Sequence, residues 1–361
     1  MTATASPAVP RTPAPAVGDT ARRADGPPAT RRRAAAVLIV AGLLVGALVV
    51  LSSLVGTRML VPSDLWRVVA DFDPADDAHL LLVNRRLPRA ALAVLVGAGL
   101  GAAGVVMQSL TRNPIAEPGL LGVSAGAAVA VAVAIALAGI VAPIAYFGAA
   151  LVGAAAAGAL VMLLGGVRRG SDPVRLVLAG AALAVVLGAL AQIVIVNGDE
   201  QVFDRYRAWA VGSLAGRDLE VLPLAAACIG AGLALAAALS RALDAAALGP
   251  ETARALGSRP AAVWAVAGLA VVVLSGGATA AAGPIAFVGL TAPHIARLLV
   301  GSDHRRMLPV AMALGAALVL IADVLGRVVA PPGEVGVGIM VALLGGPFFV
   351  ALVRRRRLAP L

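Results

Sequence analysis

The chain has 361 residues, of which 60% are hydrophobic, 13% charged and 3% aromatic, and its mean hydropathy is +0.96. A soluble domain would carry about 25% charged residues, so a soluble globular enzyme is excluded. The formal net charge is +10, and all 29 basic residues are Arg, so neither a lysine-based P-loop nor Schiff-base chemistry can reside here.

In chain order, residues 1–33 mix Pro, Ala, Thr and Arg without hydrophobic periodicity. They read as a disordered cytoplasmic tail ending in Arg31-Arg32-Arg33. The apolar run that follows exceeds a signal-peptide core in length and is expected to be retained as the first spanning helix. A span needs about 20 apolar residues. Ten such runs occur, at 34–56, 88–109, 119–138, 143–166, 174–196, 221–240, 261–281, 283–300, 308–329 and 336–353. The third and eighth are interrupted by Pro and Gly. The fold class is therefore an all-α polytopic membrane protein with about ten transmembrane helices.

Ten spans put both termini on one side. With the termini inside, 20 Arg fall at inner positions and 9 at outer ones, while acids such as Asp71, Asp73, Asp76, Asp77, Asp199 and Glu200 fall outside. The positive-inside bias thus predicts a multi-pass protein of the cell membrane with cytoplasmic N- and C-termini. Basic charge needs no nucleic-acid partner here; the lipid bilayer accounts for it. An internal echo is also present. Pro114-Ile115-Ala116-x-x-Gly119-Leu120 recurs as Pro284-Ile285-Ala286-x-x-Gly289-Leu290. The copies lie five spans apart, as in an inverted repeat with interrupted helices.

No catalytic constellation is present, and Cys228, His79, His294 and His304 show no metal-ligand spacing. The polar residues at helix ends are the functional candidates. Arg86 and Arg89 flank Pro88 at the outer start of the second span, against the charge bias, and are expected to offer a docking surface for acidic groups. Asp323 and Arg327 form an i,i+4 pair near the same face, with a local ion pair as the plain alternative. At the inner side, Thr111 to Gly119 breaks the helical pattern twice with Pro, which suits backbone packed in protein or lining a pathway. Arg168 to Pro173 is a second inner turn. The loop 241–260 contains a short helix bracketed by Pro250, Glu251 and Gly257, a candidate for seating on another protein.

These residues resemble the permease subunits of type II ABC importers, the FecCD family, which take up iron–siderophores, haem and vitamin B12. The resemblance spans about 34–357. It rests on Arg86-Leu87-Pro88-Arg89, Gly104 to Gln108, Arg112-Asn113-Pro114, Pro118 to Gly122, Leu178-Ala179-Gly180, Trp209 to Leu214, and Leu248-Gly249 to Gly257. It continues through Phe287 to Leu290, Pro293-His294-x-x-Arg297, Asp303-His304-Arg305, Asp323 and Gly345 to Phe349.

The resemblance implies a non-enzymatic ten-helix permease. Its expected partners are a second permease, identical or paralogous, two ABC ATPase subunits that hold ATP and Mg, and an extracytoplasmic binding protein. No cofactor is expected in this chain. By position, Arg86, Arg89 and Arg327 match arginines that meet acids of the binding protein. Asn113, Ile115, Asp172 and Pro173 match inner-gate positions. Leu248, Gly249, Glu251, Ala253, Arg254 and Gly257 match the ATPase-coupling segment. His294 is expected to pack rather than ligate. The cargo implied is a ferric-siderophore chelate, with haem or cobalamin as alternatives. An ion-coupled secondary transporter is the rival class, and it would need a mid-span acidic or His cluster. One departure is Val335 after Glu334, where the family often has Pro.

Overall fold

A computed structural model describes residues 28–56, 58–139, 142–165, 173–217, 219–247, 249–255, 257 and 259–354. The regular structure of the described residues is all helical, with ten apolar helices in the expected order. Seven of these are long and apolar enough to cross a membrane, and three, at 123–138, 288–300 and 337–352, are shorter.

The first helix, α1 (Pro28–Leu54), begins inside the segment expected to be a disordered tail, so Arg31 to Arg33 are helical. Two small helices follow, α2 (Pro62–Ala70) and α3 (Asp77–Leu81). A π-helical turn at Leu82–Arg86 runs directly into α4 (Leu87–Thr111). The second span therefore does not start at Pro88. Helix is continuous over 77–111, and the wider π turn stands where the proline offers no N–H and crowds the preceding turn.

A 3-10 turn at Pro118–Leu121 precedes α5 (Val123–Ala138), and α6 (Pro143–Leu164) and α7 (Pro173–Val196) complete the first half. The second half comprises α8 (Glu200–Ala210), α9 (Val221–Ala247), the short α10 (Pro250–Ala255) and α11 (Pro260–Ala282). It ends with α12 (Val288–Val300), α13 (His304–Val329) and α14 (Val337–Arg354). Because α9 reaches Ala247, the inner loop expected over 241–260 is shorter by seven residues.

Burial identifies the centre. The most apolar window of α4 is 83% buried, whereas those of α1 and α7 are 11% and 17% buried. Helix α4 packs against α9, α11, α12 and α13, while α1 and α7 present Ile39, Leu43, Val185 and Ile193 outward. Apolar side chains on an outward face suit lipid, which offers no penalty for them.

Close packing around α4 depends on glycine. A Cβ on Gly97 would lie 2.4 Å from the Gly315 carbonyl oxygen, and one on Gly315 would lie 2.2 Å from that of Gly97. The same reciprocity joins α5 and α6 at Gly126 and Gly153, at 2.3 and 2.2 Å. Neither pair can separate without opening its helix crossing, so small residues are obligatory there. Gly97→Val should lower stability by about 1–3 kcal/mol or more, seen as an earlier melt in detergent. Gly188→Ala, with open space at its Cβ position, should leave the melt unchanged.

Candidate functional site

At one end of the bundle three arginines converge, as expected, and they meet acids and carbonyls of this same chain. Arg89 forks onto Asp323, with Nε and Nη2 at 3.0 and 2.9 Å from Oδ1, and also reaches Glu334 Oε2 at 2.8 Å. Arg327 Nη2 lies 3.0 Å from Asp323 Oδ2, so one buried carboxylate bridges two guanidinium groups. The other N–H groups of Arg327 donate to Ser52 O (2.9 Å), Val55 O (2.6 Å) and Ser52 Oγ (2.7 Å). Arg86 donates to Ser53 O (2.8 Å), Leu54 O (2.7 Å) and Arg58 O.

The carbonyls of Ser52, Ser53 and Leu54 belong to the last turn of α1, where the helix dipole is negative, and those of Val55 and Arg58 follow it. Arg86 and Arg327 are thus caps for a helix end, at 6% and 5% exposure. Internal acceptors hold both guanidinium groups, beside the surface expected to meet a partner's acids. Arg89 is likewise held by Asp323 and Glu334, and Arg58, Arg67 and Arg85 are among the exposed arginines at this end. The Val335 departure has a local reason: its N–H donates to Gly326 O at 2.9 Å, a bond proline could not make.

The two copies of the sequence echo both interrupt helix. After α4, Arg112 takes a left-handed conformation (φ 49°), and Asn113 Oδ1 accepts from Ile115 N–H at 3.1 Å, closing an Asx turn. After α11, Gly283 and Phe287 have φ of 77° and 67°, and α12 starts only at Val288. The third and eighth spans are accordingly shorter than their apolar runs, with irregular backbone at 113–117 and 283–287.

The breaks pack on each other. Glu117 Oε1 accepts from Phe287 N–H at 2.6 Å, across 170 residues of sequence. A Cβ on Gly104 would sit 1.9 Å from Gly289 O, and one on Gly180 would sit 1.7 Å from Leu120 O. Beside this junction lies a cavity of about 460 Å³, lined by Glu117, Ser124, Ser275, Thr279, Ile285 and Ile339 among others. It is mainly apolar with a few hydroxyls and one carboxylate, and its walls come from α4, α5, α8, α11, α12 and α14. Asn113 and Ile115 sit at the start of the first break and not among the lining residues. Asp172 lies outside the described residues, and Pro173 is placed only as the first residue of α7.

At the other end, α10 lies between α9 and α11 and packs on both. Left-handed glycines bracket it, Gly249 (φ 102°) and Gly257 (φ 78°), and Gly257 N–H donates to Arg254 O at 2.9 Å. Ala253, expected in the coupling segment, is 1% exposed. Glu251, Thr252 and Arg254 face outward. Leu248 lies outside the described residues.

Sequence reading missed the acceptor role of Glu117, the bridging role of Asp323, and a buried pairing of Arg297 Nη2 with Gln108 Oε1 at 2.8 Å. His294 is 2% exposed with its ring edge-on to Phe348, a packing position. Among the described residues, no group of three or more His, Cys, Asp or Glu is arranged to hold a metal.

The FecCD transport family profile matches residues 42–355. This chain belongs to the FecCD transport family. It is 44% identical over 308 residues to the ferric enterobactin transport system permease protein FepD of Escherichia coli, covering 85% of this chain and 91% of that one. It is 35% identical over 314 residues to the hemin transport system permease protein HmuU of Yersinia pestis, covering 86% and 94%. A solved metal-chelate type ABC transporter in an inward-facing conformation superposes with a TM-score of 0.77 at 30% identity, covering 88% of this chain and 98% of the other.

Within this FecCD chain, Asp323 is the residue whose loss exposes the most. Asp323→Ala leaves two guanidinium groups without their shared carboxylate and should cost about 3–5 kcal/mol. Asp323→Asn, which keeps one acceptor oxygen, should cost less. Melting of both purified variants against wild type checks the order.

Proposed function

We propose that this chain is the membrane permease subunit of an ATP-driven importer for iron chelates, with a ferric siderophore as cargo. The observation that carries this reading is the 44% identity to an iron-siderophore permease over most of both chains. The cavity beside the Glu117–Phe287 junction agrees with it, since irregular backbone near membrane depth suits a pathway wall. The haem reading is supported by a more distant relative, at 35% identity.

In this mechanism a loaded binding protein docks at the Arg86 end, assigned as outer by the arginine bias. Exposed Arg58 and Arg85 meet its acids, while Arg86, Arg89 and Arg327 hold the platform rigid. The chelate enters between two permeases, and the binding protein supplies selectivity. Separate ATPase subunits, carrying ATP and Mg, seat against the outward face of α10 through Glu251, Thr252 and Arg254. Closure of their dimer moves α10 against α9 and α11. The two broken segments, which include Asn113, Ile115 and Glu117, then shift access from one side to the other, with Asp172 and Pro173 as further gate positions. The ATP chemistry belongs to the partner subunits, and this chain transmits motion.

Reconstituted vesicles test the proposal. Uptake of a ferric siderophore should require the ATPase subunit, the binding protein and ATP, and vesicles with the permease alone should take up none. Accumulation by the lone chain on a proton or sodium gradient would assign it to secondary transport. Arg254→Glu should leave the permease folded while ATP hydrolysis and uptake separate. Ala253→Trp, at a buried position, should instead lower the yield of folded protein. Arg58→Glu and Arg85→Glu should slow binding-protein association, most strongly at low salt.

A further inference from the structure

The α10 end of the bundle holds a second cavity of about 460 Å³, unrelated to the Glu117 junction. It lies where the C-terminal ends of α4, α9 and α12 meet the start of α13, and Arg112, Asp244, Arg297, Ser302 and His304 line it. Its carboxylates are already engaged. Asp244 Oδ1 accepts from His304 N–H at 3.0 Å and lies 2.5 Å from His304 Nδ1. Asp303 accepts from Arg305 N–H at 2.9 Å and pairs with Arg306 Nε at 3.4 Å.

Arg297 is different. It is 6% exposed, its Nη2 donates only to the neutral amide oxygen of Gln108, and its Nε and Nη1 are buried without an acceptor. No carboxylate among the described residues pairs with it. A buried guanidinium without a counter-charge is among the costliest arrangements a protein can hold. A second guanidinium, Arg112, stands exposed at the rim, and Ser302 adds a hydroxyl there. The Arg297 and Arg112 guanidinium groups and the Ser302 hydroxyl, beside the engaged carboxylates of Asp244 and Asp303, line a pocket whose size suits an oxyanion with several acceptor oxygens; Arg112 Nη2 also donates to Ala246 O at 3.4 Å.

We propose that this pocket is a binding site for a phosphate-class oxyanion, held between Arg297 and Arg112. The same chemistry is offered by free phosphate and by the phosphate of an anionic phospholipid in the adjoining leaflet, since basic pockets between membrane helices take such headgroups. The site is independent of the transport reading, because it rests only on residues of this chain.

The test uses the full chain in a neutral detergent, melted against sodium phosphate and against sodium chloride at matched ionic strength. Phosphate should raise the melting midpoint saturably, by about 2–4 °C, with no such rise in chloride and none in Arg297→Gln. In nanodiscs, added phosphatidylglycerol should produce an Arg297-dependent rise over phosphatidylcholine alone if the lipid is the source. A response confined to free phosphate assigns the soluble anion, and one confined to phosphatidylglycerol assigns the lipid; either supports the site. If Arg297→Gln does not fold, Arg112→Gln at the exposed rim decides instead, and it should weaken phosphate affinity about tenfold. Equal responses to phosphate and chloride together with no Arg297-dependent rise in phosphatidylglycerol nanodiscs, or a phosphate response left unchanged in affinity by Arg112→Gln, would overturn the proposal. An Arg297-dependent rise produced only by an added ATPase subunit would give the pocket to a protein carboxylate and overturn it as well.

Discussion

The structure depends on one constraint: wherever a helix stops near membrane depth, its freed backbone groups must find partners inside the protein. The end of α1 is closed by Arg86 and Arg327, which deliver N–H groups to the carbonyls of Ser52, Ser53, Leu54 and Val55. The start of α12 is closed by Glu117, whose carboxylate takes the Phe287 N–H. The end of α4 is closed locally, by the left-handed Arg112 and the Asx turn at Asn113. Each cap ties an interruption to its surroundings, so the broken segments beside the cavity keep their backbone groups paired without being helical.

This constraint also explains why the arginines at the Arg86 end of the bundle are more internal than their sequence suggests. Charges at the membrane boundary can snorkel to water or turn inward. Arg86 and Arg327 turn inward because the α1 terminus offers four carbonyls and α13 offers Asp323. A buried ion network costs desolvation and is retained when every member is satisfied. Here Asp323 serves Arg89 and Arg327 together, and Glu334 adds a second acid to Arg89. The result is one network that joins α1, α4, α13 and the segment before α14.

The arrangement separates rigid from movable parts. Reciprocal glycines lock α4 to α13 and α5 to α6 at near-backbone contact. The short α10 is joined to its neighbours through left-handed glycines and rests on α9 and α11 through Ala253. The cavity wall is built from six helices and the two breaks.

Composition and the spacing of apolar runs determined the class, the ten helices and their order, because a bilayer imposes a length and a polarity that any spanning segment must meet. The two Pro-Ile-Ala breaks were legible for the same reason, since proline and glycine interrupt a helix locally. Contacts between distant segments decided the rest. No local pattern indicates that Glu117 meets Phe287, that Arg327 meets Ser52 or that Arg297 meets Gln108, pairs separated by 170, 275 and 189 positions. Nor does the sequence near Ala253 reveal which side of a one-and-a-half-turn helix is buried, because Ala suits either side. The sequence determined which residues lie near a helix end. Only tertiary packing decided whether a charged side chain there faces water, a partner or a carbonyl of its own chain, since that depends on which acceptors lie within reach.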